Sequence, residues 1–137
     1  MGPTNRQLVC LLVGASLPFV LACSSTPPSG IADGPPTDLG AITDLRQQDE
    51  VTVVMADNVY TPRVIRVDPG AVVTFRNEGA NVHNATPNED GALVAVSLSP
   101  TDSGTMTVPT APGTYRYFCT LHATSGSGLQ RGAFVVE

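Results

Sequence analysis

Histidine, cysteine, lysine and tryptophan are rare or missing in this chain of 137 residues. It has two histidines, His83 and His122, three cysteines, and no lysine or tryptophan. Two histidines are too few to build several metal centres, so we expect that the chain is not an enzyme of the kind that couples such centres. The formal net charge of −5 also argues against nucleic acid as a partner, because its binders need a basic surface.

Residues 1–22 are typical of a signal peptide. The apolar run that ends at Ala22 is short and is interrupted by Pro18, which favours a signal-peptide core over a membrane-spanning helix. The following Cys23 completes a sequence similar to a bacterial lipobox, in which this cysteine carries the lipid. An ordinary cleaved signal and an uncleaved anchor are the alternatives. All three place the rest of the chain outside the cytoplasm, and the lipobox predicts a lipid anchor on the extracytoplasmic face of a bacterial membrane.

Cys119 is the one cysteine that remains after the leader and the lipobox. It has no partner for an internal disulfide in an oxidising compartment, because Cys10 is lost with the leader. A buried, inert thiol is one explanation. Metal ligation is the other, and it also accounts for both histidines, since His122 follows Cys119 by three positions.

The rest of the chain divides by composition into a tether and a β domain. Residues 23–45 are rich in Pro, Gly, Ser, Thr and Asp and have no apolar periodicity, which predicts a tether. Residues 46–137 alternate short β-branched or aromatic runs with Gly, Pro and Asp turns, which predicts an all-β sandwich with at most a single helical turn. The expected strands are residues 51–55, 60–67, 71–77, 93–98, 104–108, 114–119 and 133–137.

The two histidines and Cys119 form a pattern typical of a copper site. Cys119 ends an aromatic strand, and His122 lies in the loop that follows, so both side chains can reach one ion, while His83 comes from an earlier loop. A thiolate suits Cu(I), and imidazoles accept both copper oxidation states. Two imidazoles and a thiolate with a weak axial ligand are the donor set of a blue-copper electron-transfer site. The pattern therefore predicts one copper ion; zinc is a possible misloading at the same ligands.

Three stretches of the sequence resemble the plastocyanin-like cupredoxins, the type-1 blue copper proteins. They are Phe75-Arg76-Asn77 ahead of His83-Asn84, the segment Pro112-Gly113-Thr114-Tyr115, and Tyr117-Phe118-Cys119, which leads into the Cys-x-x-His spacing that ends at His122. The resemblance covers residues 51–137. It implies a Greek-key β-sandwich of about seven or eight strands and makes His83, Cys119 and His122 the strong copper ligands. It also implies that Asn84 ties the two ligand loops together and directs its backbone N–H at the thiolate.

The fourth ligand departs from the family pattern. The family usually places a Met a few residues after the second histidine, and this chain has no Met after Met106. Comparison with the family's last strand puts Gln130 in that position, and the stellacyanin-like cupredoxins do use an axial Gln. Its oxygen is a harder ligand than a thioether and lowers the reduction potential. Because the segment between His122 and Gln130 is long, Leu129 facing the copper, or no axial ligand, remains an alternative.

The resemblance implies a monomeric carrier of single electrons between exported or membrane-bound protein redox partners. The ring edge of His122, beside Leu121 and Ala123, is the expected route for the electron, and we expect Phe118 and Leu121 to shield the copper–sulfur bond from water. A copper-binding protein without a redox partner, for storage, delivery or sensing, is the alternative function. Delivery sites favour exposed clusters of Met and His, which this chain lacks.

Overall fold

The computed structural model describes residues 36–89 and 91–137. The predicted signal peptide, the lipobox and Cys23 lie outside these residues. Within the two ranges no helix has the length and hydropathy needed to span a membrane. One short 3₁₀ helix, Thr37–Leu39, precedes ten strands: β1 (Ile42–Asp44), β2 (Val51–Ala56), β3 (Val59–Thr61), β4 (Val64–Val67), β5 (Val72–Asn77), β6 (His83–Pro87), β7 (Val96–Leu98), β8 (Ser103–Thr107), β9 (Gly113–Phe118) and β10 (Arg131–Val136).

The strands form two sheets. One has six strands in the order β1-β4-β10-β9-β6-β7, and the other has four in the order β3-β2-β5-β8. This architecture confirms the all-β sandwich. The described residues contain more strands than the seven or eight expected, because β1 and β6 were not predicted and the expected strand at residues 60–67 is divided into β3 and β4.

Proline splits one expected strand into two. The run from Tyr60 to Val67 reads as one strand by its alternation, but β3 ends at Thr61 and β4 begins at Val64. Pro62 has no N–H to donate to a ladder, so pairing is interrupted there. The chain uses the break to cross from the four-stranded sheet to the six-stranded sheet.

The main core lies between the two sheets and follows the period of two expected for strands. In β2, Val51, Val53 and Met55 are buried and the residues between them are not. Four aromatic rings fill the centre in place of tryptophan: Tyr60, Phe75, Tyr117 and Phe134. The Phe75 and Tyr117 rings meet edge to face with centroids 5.4 Å apart. Burial of each such side chain stabilises the fold by about 1.5–3 kcal/mol.

The predicted tether is too long at its C-terminal end. Residues 36–45, which we call the N-terminal segment, are part of the sandwich: β1 pairs in parallel with β4. Leu39 is buried in a second apolar cluster with Val64, Ala133 and Val135. Composition misses this segment because its two anchoring apolar residues, Leu39 and Ile42, stand among Gly, Pro, Thr and Asp. The segment covers the outer face of β10, which explains why five successive residues of that strand are buried.

Candidate metal centre

Three neighbouring strands bring the predicted ligands to one end of the six-stranded sheet. His83 begins β6, Cys119 directly follows β9, and Gln130 directly precedes β10. Strand β9 lies between β6 and β10 and is antiparallel to both. The end of β9 therefore meets the starts of its two neighbours. The backbone N–H of Cys119 donates to the carbonyl of Gln130 at 3.0 Å, which sets these two residues side by side.

The donor atoms of the three predicted strong ligands lie within 4.8 Å of one another. Nδ1 of His122 is 3.2 Å from Nδ1 of His83 and 3.3 Å from Sγ of Cys119. Two donors bound to one ion at roughly 2.0–2.3 Å stand at about this separation. His83 and Cys119 are fully buried, and His122 is half-buried. The structure thus brings together the three residues that the sequence pattern singled out.

Gln130 faces the same cluster. Its side chain is fully buried, and its Oε1 lies 3.0 Å from Nδ1 of His122. Nε2 of the same amide donates to the carbonyl of Ala56 at 3.4 Å, which supports this orientation of the amide. Leu129, the alternative considered from the sequence, is 67% exposed. Among the predicted candidates for a fourth ligand, the geometry therefore favours Gln130.

A small closed loop explains how the long segment before Gln130 keeps its register. Ala123 and Gly128 form an isolated antiparallel bridge, and Thr124 N–H donates to the carbonyl of Ser127 at 2.7 Å. The residues between the bridge partners therefore form a side loop that adds little to the path from His122 to Gln130. Gly128 is required at this bridge, because its φ is +102° and a Cβ there would lie 2.7 Å from Cα of Ala123.

Asn84 connects the two ligand loops as the resemblance implied. Its Nδ2 donates to Oγ1 of Thr120 at 2.9 Å, and its Oδ1 accepts from the Thr120 N–H at 3.0 Å. The backbone N–H of Asn84 points at Sγ of Cys119 at 3.5 Å. These contacts hold the thiol in place and offer its sulfur a hydrogen-bond donor, a contact of the kind that tunes a bound metal.

Leu121, which we expect to shield the copper–sulfur bond, lies at the surface. Its side chain is 59% exposed, because it lies in the tight turn in which His122 N–H donates to the carbonyl of Cys119 at 3.1 Å. Val82 and Leu129 are also exposed, and each of the three directly precedes a residue of the site. We call Val82, Leu121 and Leu129 the apolar rim. Phe118 is half-buried beside the fully buried Cys119.

Asp57 and Tyr60 belong to the site although sequence reasoning missed both. Oδ1 of Asp57 lies 3.2 Å from Nε2 of His83. This contact is the main reason that the pKa of the Asp57 carboxyl is lowered from its ordinary value of 3.8. The Tyr60 hydroxyl donates to the carbonyl of Asn84, and burial raises the pKa of Tyr60 so that it stays protonated. Asp57-Asn58 has the composition of a turn, and nothing in that pattern separates a turn aspartate from a partner of histidine.

The ligand atoms of the site are better placed to bind one metal ion than to form hydrogen bonds with one another. Nδ1 of His122 lies within 3.3 Å of His83 Nδ1, Cys119 Sγ and Gln130 Oε1. A ring nitrogen carries at most one proton, so Nδ1 of His122 can donate a hydrogen bond to only one of these three atoms. A cation bound at the centre would satisfy all of these lone pairs together. Two imidazoles, a thiolate and a weaker oxygen form the set that suits copper in an electron-transfer site.

Comparison with known proteins agrees with this geometry. A family model described as a cupredoxin-like domain matches residues 17–129. The chloroplast plastocyanin of Hordeum vulgare is 31% identical, over an alignment covering 50% of this chain and 50% of plastocyanin. This chain thus spans about half the length of that relative.

Solved structures add the comparison of folds. An oxidised amicyanin variant superposes with a TM-score of 0.54 and 28% identity, covering 64% of this chain and 82% of amicyanin. A purple cupredoxin from Nitrosopumilus maritimus superposes with a TM-score of 0.53 and 19% identity, covering 64% of this chain and 100% of that protein. The second likeness concerns the fold alone.

Proposed function

Because the chain belongs to the cupredoxin-like family, we propose that it is a type-1 copper protein that carries single electrons between protein partners outside the cytoplasm. One observation carries the proposal: the donor atoms of His83, Cys119 and His122 lie within 4.8 Å of one another at one end of a rigid sandwich. Gln130 is the proposed axial ligand and adds an oxygen to the set.

The residues of this chain would hold copper with little rearrangement between its two oxidation states. Bound copper supplies a Cu(II)/Cu(I) couple that gains and loses one electron. His83, Cys119 and Gln130 are fixed by burial at strand ends, and Asn84 links the His83 strand to the Cys119 loop. Side chains held this firmly keep their positions when the charge of the ion changes, which favours rapid electron transfer.

Amicyanin supports the redox role. It is 28% identical to this chain, and its solved structures include an oxidised form and a reduced Cu(I) form. That protein is therefore known in an oxidised form and in a Cu(I) form. The same cycle in this chain is a proposal based on the likeness of fold and on the donor set.

The surface beside His122 is the proposed point of electron exchange. His122 is half-buried, whereas His83 and Cys119 are fully buried, so His122 is the strong ligand that solvent and a partner can approach. The exposed residues of the apolar rim, each next in sequence to a residue of the site, offer apolar surface that a redox partner could cover. In this proposal the domain works as a monomer, and a lipid on Cys23 keeps it at the extracytoplasmic face of a bacterial membrane, close to membrane-bound partners.

Titration of the purified protein with Cu(II) tests the proposal. We expect one equivalent to bind and to produce an intense thiolate-to-copper absorption band, an electron paramagnetic resonance spectrum of a type-1 site, and a reversible one-electron reduction by voltammetry. Cys119→Ala should lose the band, whereas the control Met106→Leu, which removes a buried sulfur of the core outside the proposed ligand set, should keep it. A colourless complex, or one that cannot be reduced reversibly, would contradict the electron-carrier role and favour a copper-binding protein without a redox partner.

A further inference from the structure

His83 has a separate partner for each of its ring nitrogens. Its Nδ1 faces the donor cluster, 3.2 Å from Nδ1 of His122, and its Nε2 lies 3.2 Å from Oδ1 of Asp57. An ionised carboxylate only accepts hydrogen bonds, so the shared proton belongs to Nε2 of His83. A neutral imidazole protonated at Nε2 carries its lone pair on Nδ1. The contact with Asp57 therefore selects the tautomer in which His83 can bind a metal.

The Asp57 carboxylate is itself held in place. Its Oδ1 also accepts the backbone N–H of Ala80 at 3.0 Å and Nδ2 of Asn81 at 3.3 Å. Both donors come from the loop between β5 and β6, the loop that leads into His83. The orientation of the carboxylate is thus fixed from the same side as the histidine that it contacts.

Glycine at position 79 permits this arrangement. A Cβ added to Gly79 would lie 2.6 Å from Oδ1 of Asp57 and 2.8 Å from Nε2 of His83. Real Cβ atoms do not approach polar atoms so closely, so any other residue would push the loop or the pair apart. The Gly79 N–H is held by Oδ1 of Asn77 at 2.9 Å, which keeps the loop against the contact. The loop between β5 and β6 can therefore pack closely against the Asp57–His83 contact because residue 79 is glycine.

We propose that Asp57 is a positioning residue of the copper centre, which holds His83 in the Nε2–H tautomer and stabilises Cu(II) relative to Cu(I). A carboxylate on the remote nitrogen of a metal-bound histidine fixes the ring and makes it a more basic ligand. A more basic ligand, with a negative charge behind it, favours the more highly charged ion. The redox part of this inference rests on the proposed function, and the tautomer part does not.

Two variants and one control separate the effects. Asp57→Asn keeps an oxygen that can accept from His83 but removes the charge, and Asp57→Ala removes both. Glu78→Gln removes a neighbouring negative charge that pairs with Arg76 instead of His83. The first readout is ¹⁵N nuclear magnetic resonance of the His83 ring in the metal-free protein. The second is the reduction potential of the copper-loaded protein.

In the wild-type protein we expect the Nε2–H tautomer of His83, and in Asp57→Ala a mixture of both tautomers. In Asp57→Asn we expect the tautomer to persist while the ratio of Cu(II) to Cu(I) affinity falls about tenfold, which raises the potential of a one-electron couple by about 59 mV. The smaller effect of Glu78→Gln measures the general influence of a nearby charge.

An unchanged tautomer in Asp57→Ala would overturn the positioning role. A potential in Asp57→Asn no higher than in Glu78→Gln would overturn the preference for Cu(II). If the wild-type protein forms no coloured copper complex, the proposed function and the redox part fail together, and the tautomer measurement still decides whether Asp57 orients His83. Should Asp57→Ala fail to fold, Asp57→Leu, which also lacks a hydrogen-bond acceptor, carries the test: a mixture of the two His83 tautomers would support positioning, and an unchanged Nε2–H tautomer would overturn it.

Discussion

At the scale of single residues, the site consists of polar side chains buried in an otherwise apolar sandwich. Asn77, His83 and Gln130 are the buried polar residues of the described chain. Burial of an amide without partners costs roughly 2–7 kcal/mol. The Asn77 side chain recovers this cost through donations to the carbonyls of Asn81 at 2.8 Å and Leu98 at 3.0 Å. The amide nitrogen of Gln130 has a longer contact, 3.4 Å from the carbonyl of Ala56. In the proposed function, a metal ion bound to Oε1 would offset the remaining cost of burying this amide.

Gln130→Met should raise the reduction potential of the copper centre. A thioether is a softer and weaker axial ligand than an amide oxygen, so Cu(II) loses more stabilisation than Cu(I). The side chains have similar volumes, so we expect the variant to fold without a cavity or a clash at this position. Voltammetry gives the potential, and the absorption spectrum of the oxidised protein should change with it.

Leu129→Met is the matched control for the axial ligand. It places the same thioether one residue earlier, on a side chain that is 67% exposed, and should leave the potential and the spectrum unchanged. The reverse result, a shift in Leu129→Met and none in Gln130→Met, would mean that Leu129, and not Gln130, faces the copper.

The sequence is informative about a residue when that residue is rare, and uninformative when it is common. His83, His122 and Cys119 could be predicted as one group because the chain has few other residues with their chemistry. Asp57 could not be predicted, since it is one of twelve acidic residues and stands in a turn. Its role arises from the fold, which places the turn between β2 and β3 against the start of β6.

At the scale of elements, the register of β10 depends on the side loop between Ala123 and Gly128. The bridge between these two residues holds the loop closed, so Gln130 still stands beside Cys119. The loop itself is exposed and makes its own hydrogen bonds through Thr124 and Ser127. The position of the fourth predicted ligand thus depends on how the bridge closes and little on the residues at the loop tip.

Gly128→Ala should disturb the metal centre from a distance. Its left-handed φ and the contact of the new Cβ with Ala123 would open the bridge at a cost of about 1–3 kcal/mol. Gln130 would then lose its register, and the copper spectrum should change as it does in Gln130→Met. Urea unfolding and visible absorption measure the two effects.

Gly126→Ala is the control within the same loop. A Cβ at Gly126 would meet no atom within 4 Å, so this variant should match the wild type in stability and spectrum. If Gly128→Ala lowers stability but leaves the spectrum unchanged, the bridge is not what places Gln130 at the metal.

Element prediction succeeds where hydrophobic pattern and pairing agree. Strands β2, β5 and β9 alternate β-branched or aromatic residues and lie close to the expected ranges. Strand β6 was missed because its sequence, His-Asn-Ala-Thr-Pro, is polar and carries little β propensity. It is a strand because β9 and β7 pair with it on both sides, which is information that a local pattern does not hold.

At the scale of the whole molecule, the fold class follows from the repeated alternation of short apolar runs and turns, but the limit of the domain does not. The N-terminal segment resembles a tether because its apolar residues have no regular spacing and stand among Pro, Gly, Thr and Asp. It packs against the sandwich because Leu39 is buried in one apolar cluster with Val64 of β4 and with Ala133 and Val135 of β10. A composition window averages over such single anchoring residues, so the boundary is visible only in the assembled fold.

Asp38 adds an electrostatic contact to the docking of the N-terminal segment. Its carboxylate accepts two hydrogen bonds from Arg116 of β9, at 2.9 and 3.1 Å, and one from Arg131 of β10 at 2.9 Å. The hydrogen bond from Arg116 is the main reason that the pKa of Asp38 is lowered from its ordinary value of 3.8. A carboxyl with a lowered folded pKa contributes stability above its ordinary pKa and loses it as the pH falls through the folded value.

Asp38→Asn should therefore lower the urea midpoint at pH 7, and the difference from the wild type should shrink as the pH falls below 3.8. Because the carboxylate is largely exposed, the effect should be small and should weaken further in high salt. Asp49→Asn, which removes a charge outside the N-terminal segment, is the control and should show a smaller loss at pH 7. A loss in Asp38→Asn that is equal at neutral and acidic pH would mean that the side chain acts through its shape alone, and that Leu39 and the pairing of β1 with β4 hold the segment without help from the ion pairs.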